Sequence, residues 1–171
     1  MILKKHLAFI LSFLLILPFA GCSNDKKQNG TNFFSDQTHY HVGIETENVK
    51  TRGKIFFDES GCLHLLHEDP TSPLFGMEEV FSETCRKSLF HELEFETPPN
   101  FDGIGRIFPA LQIAKETEPI QIIRENECTR WLFQAENGRI EFELLTTQGK
   151  IIQMIGTVNE KAFLLNFAVD A

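Results

Sequence analysis

The sequence predicts an α+β fold, a mostly antiparallel, curved β-sheet approaching a half-barrel with one amphipathic helix packed on it. Three observations predict it. The last 52 residues read as five successive strands joined by tight turns. Gly76–Phe90 alone carries apolar residues at helical spacing. One such helix cannot cover a seven- or eight-strand sheet unless the sheet bends around it. The composition, 42% hydrophobic and 23% charged over 171 residues, belongs to a globular chain and not a disordered one. The net charge of −8 excludes an electrostatic footprint for nucleic acid or an anionic lipid surface.

From the N-terminus, Lys4 and Lys5 precede an apolar run, Leu7–Ala20, of 14 residues. That is short for a membrane-spanning helix, which needs about 20 residues, but suits the core of a signal peptide. Pro18 breaks a helix just ahead of Ala20 and Gly21, leaving extended backbone for a peptidase. The four residues Phe19-Ala20-Gly21-Cys22 resemble the lipobox of bacterial lipoproteins, with Phe19 where leucine is usual. The resemblance covers about the first 25 residues only. It implies a diacylglycerol on the Cys22 thiol, cleavage before Cys22 by signal peptidase II, and an acyl chain such as palmitate on the new amine. It also implies a cell-envelope location, with the outer membrane facing the periplasm as the expected site. An uncleaved anchor and an ordinary secretory signal are the alternatives. At about 0.8 kcal/mol per buried CH₂, two or three acyl chains anchor firmly where one binds reversibly.

The domain reading is therefore 1–21 as a removed signal peptide, 22–41 as lipidated cysteine and polar tether, and 42–171 as a single α+β domain. Phe33, Phe34 and Tyr40 interrupt the tether and are expected to dock on the body or on a partner. Lys54–Asp58 and Cys62–Glu68 flank Glu59-Ser60-Gly61 as a hairpin. In Gly76–Phe90, Met77, Val80, Phe81, Cys85 and Leu89 fall three or four apart, with Glu78 and Glu79 in the first turn, as the helix dipole favours. His91–Thr97 alternates as a strand, although the helix can also run on to Leu93. Asn100–Glu118, with Asp102-Gly103, Gly105 and Pro109, reads as irregular with at most one helical turn.

The meander then comprises Ile120–Arg124, Cys128–Ala135, Arg139–Thr146, Lys150–Val158 and Lys161–Asp170. Ile140, Phe142 and Leu144 alternate with Arg139, Glu141 and Glu143, the mark of a half-buried strand. Glu136-Asn137-Gly138 supplies residues that adopt positive φ cheaply. Lys150–Val158 is apolar on both sides, which suits a central covered strand, the lining of a lipid-sized cavity, or a partner interface. Residues 22–171 contain 14 phenylalanines, side chains suited to a dry core or an apolar pocket.

No catalytic constellation emerges. Ser60-Gly61 lacks the glycine pattern of a nucleophile elbow, and Gly103-Ile104-Gly105 lacks the third glycine of a dinucleotide loop. His39 and His41 share a face on an extended segment, whereas His64 and His67 do so only on a helix; neither pair completes a metal shell. Of the three cysteines besides Cys22, Cys62 with Cys128 is the expected pair should a disulfide form, and Cys85 is expected to pack in the core. The reading is thus a membrane-anchored, non-enzymatic lipoprotein without metal or cofactor, acting as an accessory or protein-binding subunit with an envelope protein partner. The alternatives are a carrier or sensor of an apolar ligand such as an acyl chain, and a cryptic hydrolase.

Overall fold

The computed structural model describes residues 33–35, 37–98 and 103–168, which belong to a folded unit beginning at Asn32. Eleven antiparallel strands form one open sheet. They are β1 (Tyr40–Thr46), β2 (Lys50–Phe57), β3 (Leu63–His67), β4 (Glu78–Phe81), β5 (Arg86–Phe90), β6 (Leu93–Thr97), β7 (Gln121–Glu125), β8 (Cys128–Ala135), β9 (Ile140–Thr147), β10 (Lys150–Val158) and β11 (Lys161–Phe167). Their order across the sheet is β6-β5-β4-β3-β2-β1-β11-β10-β9-β8-β7. Sequence neighbours therefore pair throughout, except that β6 and β7 form the two opposite edges and the first and last strands pair with each other, with Ile44 opposite Leu165.

Alternation decides which face is buried. Val42 and Ile44, Ile55 and Phe57, Leu63 and Leu65, Ile140 and Leu144, and Phe163 and Leu165 all point to one side and are almost wholly buried. On that side lies α1 (Ile107–Glu116), preceded by a 3-10 turn at Gly103–Arg106. Its Ile107, Ala110, Leu111 and Ala114 have no exposed surface. Side chains from β1–β4 and β8–β11 join these residues in one core. Eight strands laid flat would be about 34 Å across, against a helix about 15 Å long. The sheet must curl around the helix to form a single core, as the sequence predicts.

The helix lies elsewhere than expected. Gly76–Phe90 is not helical; it forms β4, a turn and β5, with Glu79 opposite Ser88. The helix instead comes from the segment read as irregular. Pro109 sits in its first turn, where a missing N–H costs nothing, and Ala110 and Ala114 let it approach the sheet closely. Its sequence, IFPALQIAKE, is apolar nearly all round, the pattern of an enclosed helix. The buried Arg106 holds its entry by donating from Nη1 to the Ala162 carbonyl at 3.3 Å. Gln112 Nε2 donates to Glu83 Oε1 at 3.2 Å, tying α1 to the β4–β5 turn.

The body also begins earlier than residue 42. Phe34, 1% exposed, packs its ring against Tyr40, Phe57 and Phe167 with centroids 5.4–6.3 Å apart. Phe33 meets Trp131 edge-on at 4.9 Å, and the Tyr40 hydroxyl donates to the Phe33 carbonyl. Of the two docking places expected for these aromatics, the body itself receives them. β1, including Tyr40, lies partly in the segment assigned to the tether. Cys22 and the segment expected to be a signal peptide lie outside the described residues.

The β2–β3 hairpin shows how short sequence features set geometry. Asp58 Oδ1 accepts from the Ser60 N–H at 2.9 Å, the Ser60 hydroxyl at 2.7 Å and the Cys62 N–H at 2.9 Å, while Gly61 supplies φ +83°. Partial burial works against ionisation of Asp58. The bonds from Ser60, His64 and Cys62, with the charge of His64, outweigh it and bring its pKa from 3.8 down to about 2. The stabilisation from ionised Asp58 is complete above about pH 4 and is lost as pH falls through about 2. Discounted for its partial exposure, it amounts to about 1 kcal/mol. Urea titrations of wild type and Asp58→Asn between pH 5 and about pH 2 are expected to converge towards the acid end. Parallel profiles would show that Asp58 plays no part.

Candidate functional site

Polar chemistry and uncovered apolar surface occur at several places among the described residues. The first is a line of histidines and carboxylates on β2–β5. His64 and His67 sit on opposite faces of β3, as strand geometry requires. His67 faces inward with Glu79, neither with any exposed side-chain surface, and its Nε2 lies 3.1 Å from Glu79 Oε2. Arg86, opposite Phe81 on β5, donates from Nε and Nη2 to Glu79 Oε1. Burial disfavours the charge on Glu79, but the bonds from His67 and Arg86 and their charges prevail, so its pKa lies below the ordinary value. His67 Nδ1 is buried without a hydrogen-bond partner among the described residues. Gly53 lies opposite His67, where a Cβ would come within 2.6 Å of the Leu66 carbonyl oxygen.

On the outer face, His64 has one ring nitrogen 2.7 Å from Glu78 and the other 3.1 Å from Asp58, and stacks on Phe56 at 4.5 Å. An open pocket of about 530 Å³ beside it is lined by Gln37, His39, Phe56, Asp58, Glu59 and Ser60. Ser60 gives its hydroxyl proton to Asp58 and so serves the turn. His39 rests on Phe56, and His41 bonds Glu68 at 2.9 Å, so the two are not brought together as ligands. Among the described residues, no group of three or more His, Cys, Asp or Glu side chains is placed to hold a metal ion.

Cys62, Cys85 and Cys128 are free thiols, so the expected Cys62–Cys128 bridge is not formed. Cys62 sits just before β3 with its sulfur 3.3 Å from the Ser60 hydroxyl oxygen, whereas Cys128 opens β8, its sulfur 3.3 Å from the Thr147 hydroxyl. Six places in the sheet order separate β3 from β8. Cys85 is part-buried beside Ser82 at the β4–β5 turn.

The second place is the sheet edge at β6, which among the described residues pairs only with β5. Lys87 on β5 binds Glu94 and Glu96 of β6 at 3.0 and 3.4 Å on the outer side. Phe95 stands opposite Ser88, which in turn stands opposite buried Glu79, so Leu93 and Phe95 continue the concave face. They are 58% and 57% exposed. An apolar strip therefore runs beside unpaired backbone donors and acceptors. The third place is the opposite edge at β7, where Ile120 and Ile122 are 64% and 39% exposed.

Glu79, Arg86 and the β6 strip were not legible as a site from the sequence. Glu78–Phe81 carries no apolar alternation that could point to them, because Glu79 takes a buried position.

No family model matches the chain, and neither does any curated protein. Among solved structures, it is similar to an uncharacterized conserved protein from Thermus thermophilus. That similarity has TM-score 0.41 and 11% identity over 77% of this chain and 76% of that one. It is also similar to LprF from Mycobacterium bovis, with TM-score 0.38 and 8% identity over 76% of this chain and 83% of that one.

Proposed function

We propose that this protein is an envelope lipoprotein, anchored through Cys22, that works without catalysis by binding a protein partner along the β6 edge. One observation carries the reading. The concave face that a carrier would offer to an acyl chain is filled by α1, while Leu93 and Phe95 stand uncovered beside a free strand edge. An added strand from a partner would satisfy the β6 backbone and cover both side chains, giving affinity through the ladder and selectivity through the apolar strip.

A second reading, a carrier of an apolar ligand, draws on a pocket of about 420 Å³ on the far side of the core. Leu132, Phe142, Ile155 and Gly156 are among its lining residues.

Native mass spectrometry of the full-length protein, extracted in mild detergent from its own envelope, separates the two. A stoichiometric protein adduct is expected, and Phe95→Asp is expected to abolish it with little change in thermal stability, because Phe95 is more than half exposed. A non-covalent lipid mass that persists in Phe95→Asp, with no protein adduct in either form, would overturn the first reading in favour of the second.

A further inference from the structure

We infer that the β7 edge, with Ile120 and Ile122, is the surface on which the body rests against the bilayer that holds its anchor. This deepens the lipoprotein reading and rests on it. Phe33 lies edge-on against Trp131, and Trp131 stands directly opposite Ile122 in the β7–β8 ladder. Opposed side chains of an antiparallel pair have Cβ atoms about 4.5–5.5 Å apart on one face. The point from which the chain runs back towards Cys22 is therefore beside the exposed isoleucines.

Ten residues, Ser23–Asn32, separate Cys22 from Phe33. Fully extended, the eleven steps between them reach at most about 36–40 Å. An anchored Cys22 thus confines this corner of the body to the neighbourhood of the membrane. The β6 edge lies at the other end of the strand order, ten places away.

The physical chemistry suits a weak contact made by a tethered body. The chain is acidic, at −8, and two isoleucines cannot hold it on a bilayer from free solution. Confinement by the anchor raises the local concentration to the millimolar range, where a small apolar contact suffices to select an orientation. β7 pairs only with β8, so its outer edge is unpaired in the sheet, where headgroups and interfacial water can meet its backbone groups. Arg124 is exposed on the same strand, in position to extend towards lipid phosphates.

The chain contains one tryptophan, Trp131, so its own fluorescence reports on this corner. Full-length acylated protein is reconstituted into zwitterionic phosphatidylcholine vesicles with plain or dibrominated acyl chains, and acylation of Cys22 is checked by intact mass. Emission is expected to fall about twofold in brominated vesicles, because groups at this contact lie about 5–10 Å into the headgroup and acyl boundary. Ile120→Ser/Ile122→Ser should still float with the vesicles but lose the quenching. Acylated, floating wild-type protein with equal emission in both vesicles would overturn the orientation while leaving the anchor intact. A Cys22 without an acyl adduct would overturn the anchor, and the orientation with it.

Discussion

Glu79→Ala lowers the unfolding free energy by about 3–5 kcal/mol, the usual cost of removing one partner from a buried ion cluster. Glu79 receives His67 on one oxygen and Arg86 on the other, and it is wholly enclosed between β3 and β5. Truncation leaves the imidazole of His67, wholly buried, and the guanidinium of Arg86, three-quarters buried, without their acceptor. The loss appears as a lower urea midpoint at unchanged slope. Replacing the whole cluster is expected to cost less than replacing one member. His67→Phe/Glu79→Leu/Arg86→Met should lie closer to wild type than Glu79→Ala does, because no charge is then stranded. A Glu79→Ala variant within about 1 kcal/mol of wild type would show that water reaches the cluster. Glu79 also contributes to acid sensitivity. Its folded-state value is depressed, so its stabilisation is present above the ordinary glutamate range and fades as pH falls through the lower, folded-state value. In Glu79→Ala that share of the pH dependence disappears.

Gly156→Ala is expected to destabilise by about 3 kcal/mol, although alanine is otherwise the better strand residue. Gly156 stands between Phe142 of β9 and Phe163 of β11 in the middle of the sheet. A Cβ there would fall well inside contact distance of both the Glu141 carbonyl oxygen and Phe142 Cβ. Both obstacles belong to the backbone or to the root of a side chain, so no rotamer change relieves them. β9 and β10 must separate, opening the core where Leu144 and Met154 pack. Gly43→Ala is the internal control. Its added methyl meets nothing nearer than 4.0 Å, and its stability should match or slightly exceed wild type. Equal effects of the two substitutions in urea melts would refute the close approach at Gly156.

What sequence reading reached and missed follows from how each element is built. β8 and β10 were legible to the residue, and β9 and β11 nearly so, because an apolar side chain recurs at every second position and tight turns close each hairpin. At the β8–β9 turn, Asn137 and Gly138 have φ of 55° and 87°, the conformation their types admit at little cost. β10 is less symmetric than expected: Met154 and Val158 are buried, whereas Ile155 is 48% exposed on the convex side. β4 and β5 were missed because their inward positions hold Glu79 and Arg86. Charges at the sites that should be apolar erase the period of two and leave Met77, Val80, Phe81, Cys85 and Leu89 at an accidental helical spacing. The true helix was hidden for the opposite reason. Being apolar nearly all round, it has little polar face to contrast with, and Pro109 with two glycines imitates a loop.

The candidate site divides in the same way. Leu93 and Phe95 alternate with glutamates in the sequence, which marks a strand with one apolar face. That this face is left uncovered follows only from the length and placing of α1. Local alternation and turn chemistry by themselves determined the antiparallel meander and its inward faces. Only the tertiary structure decided where the helix lies, that Phe34 belongs to the core, and that a buried glutamate and histidine meet a partly buried arginine. The reason is range. Backbone alternation and turns depend on residues a few places apart, whereas enclosure depends on strands and a helix brought together from across the chain, whose mutual screening from water no local pattern records.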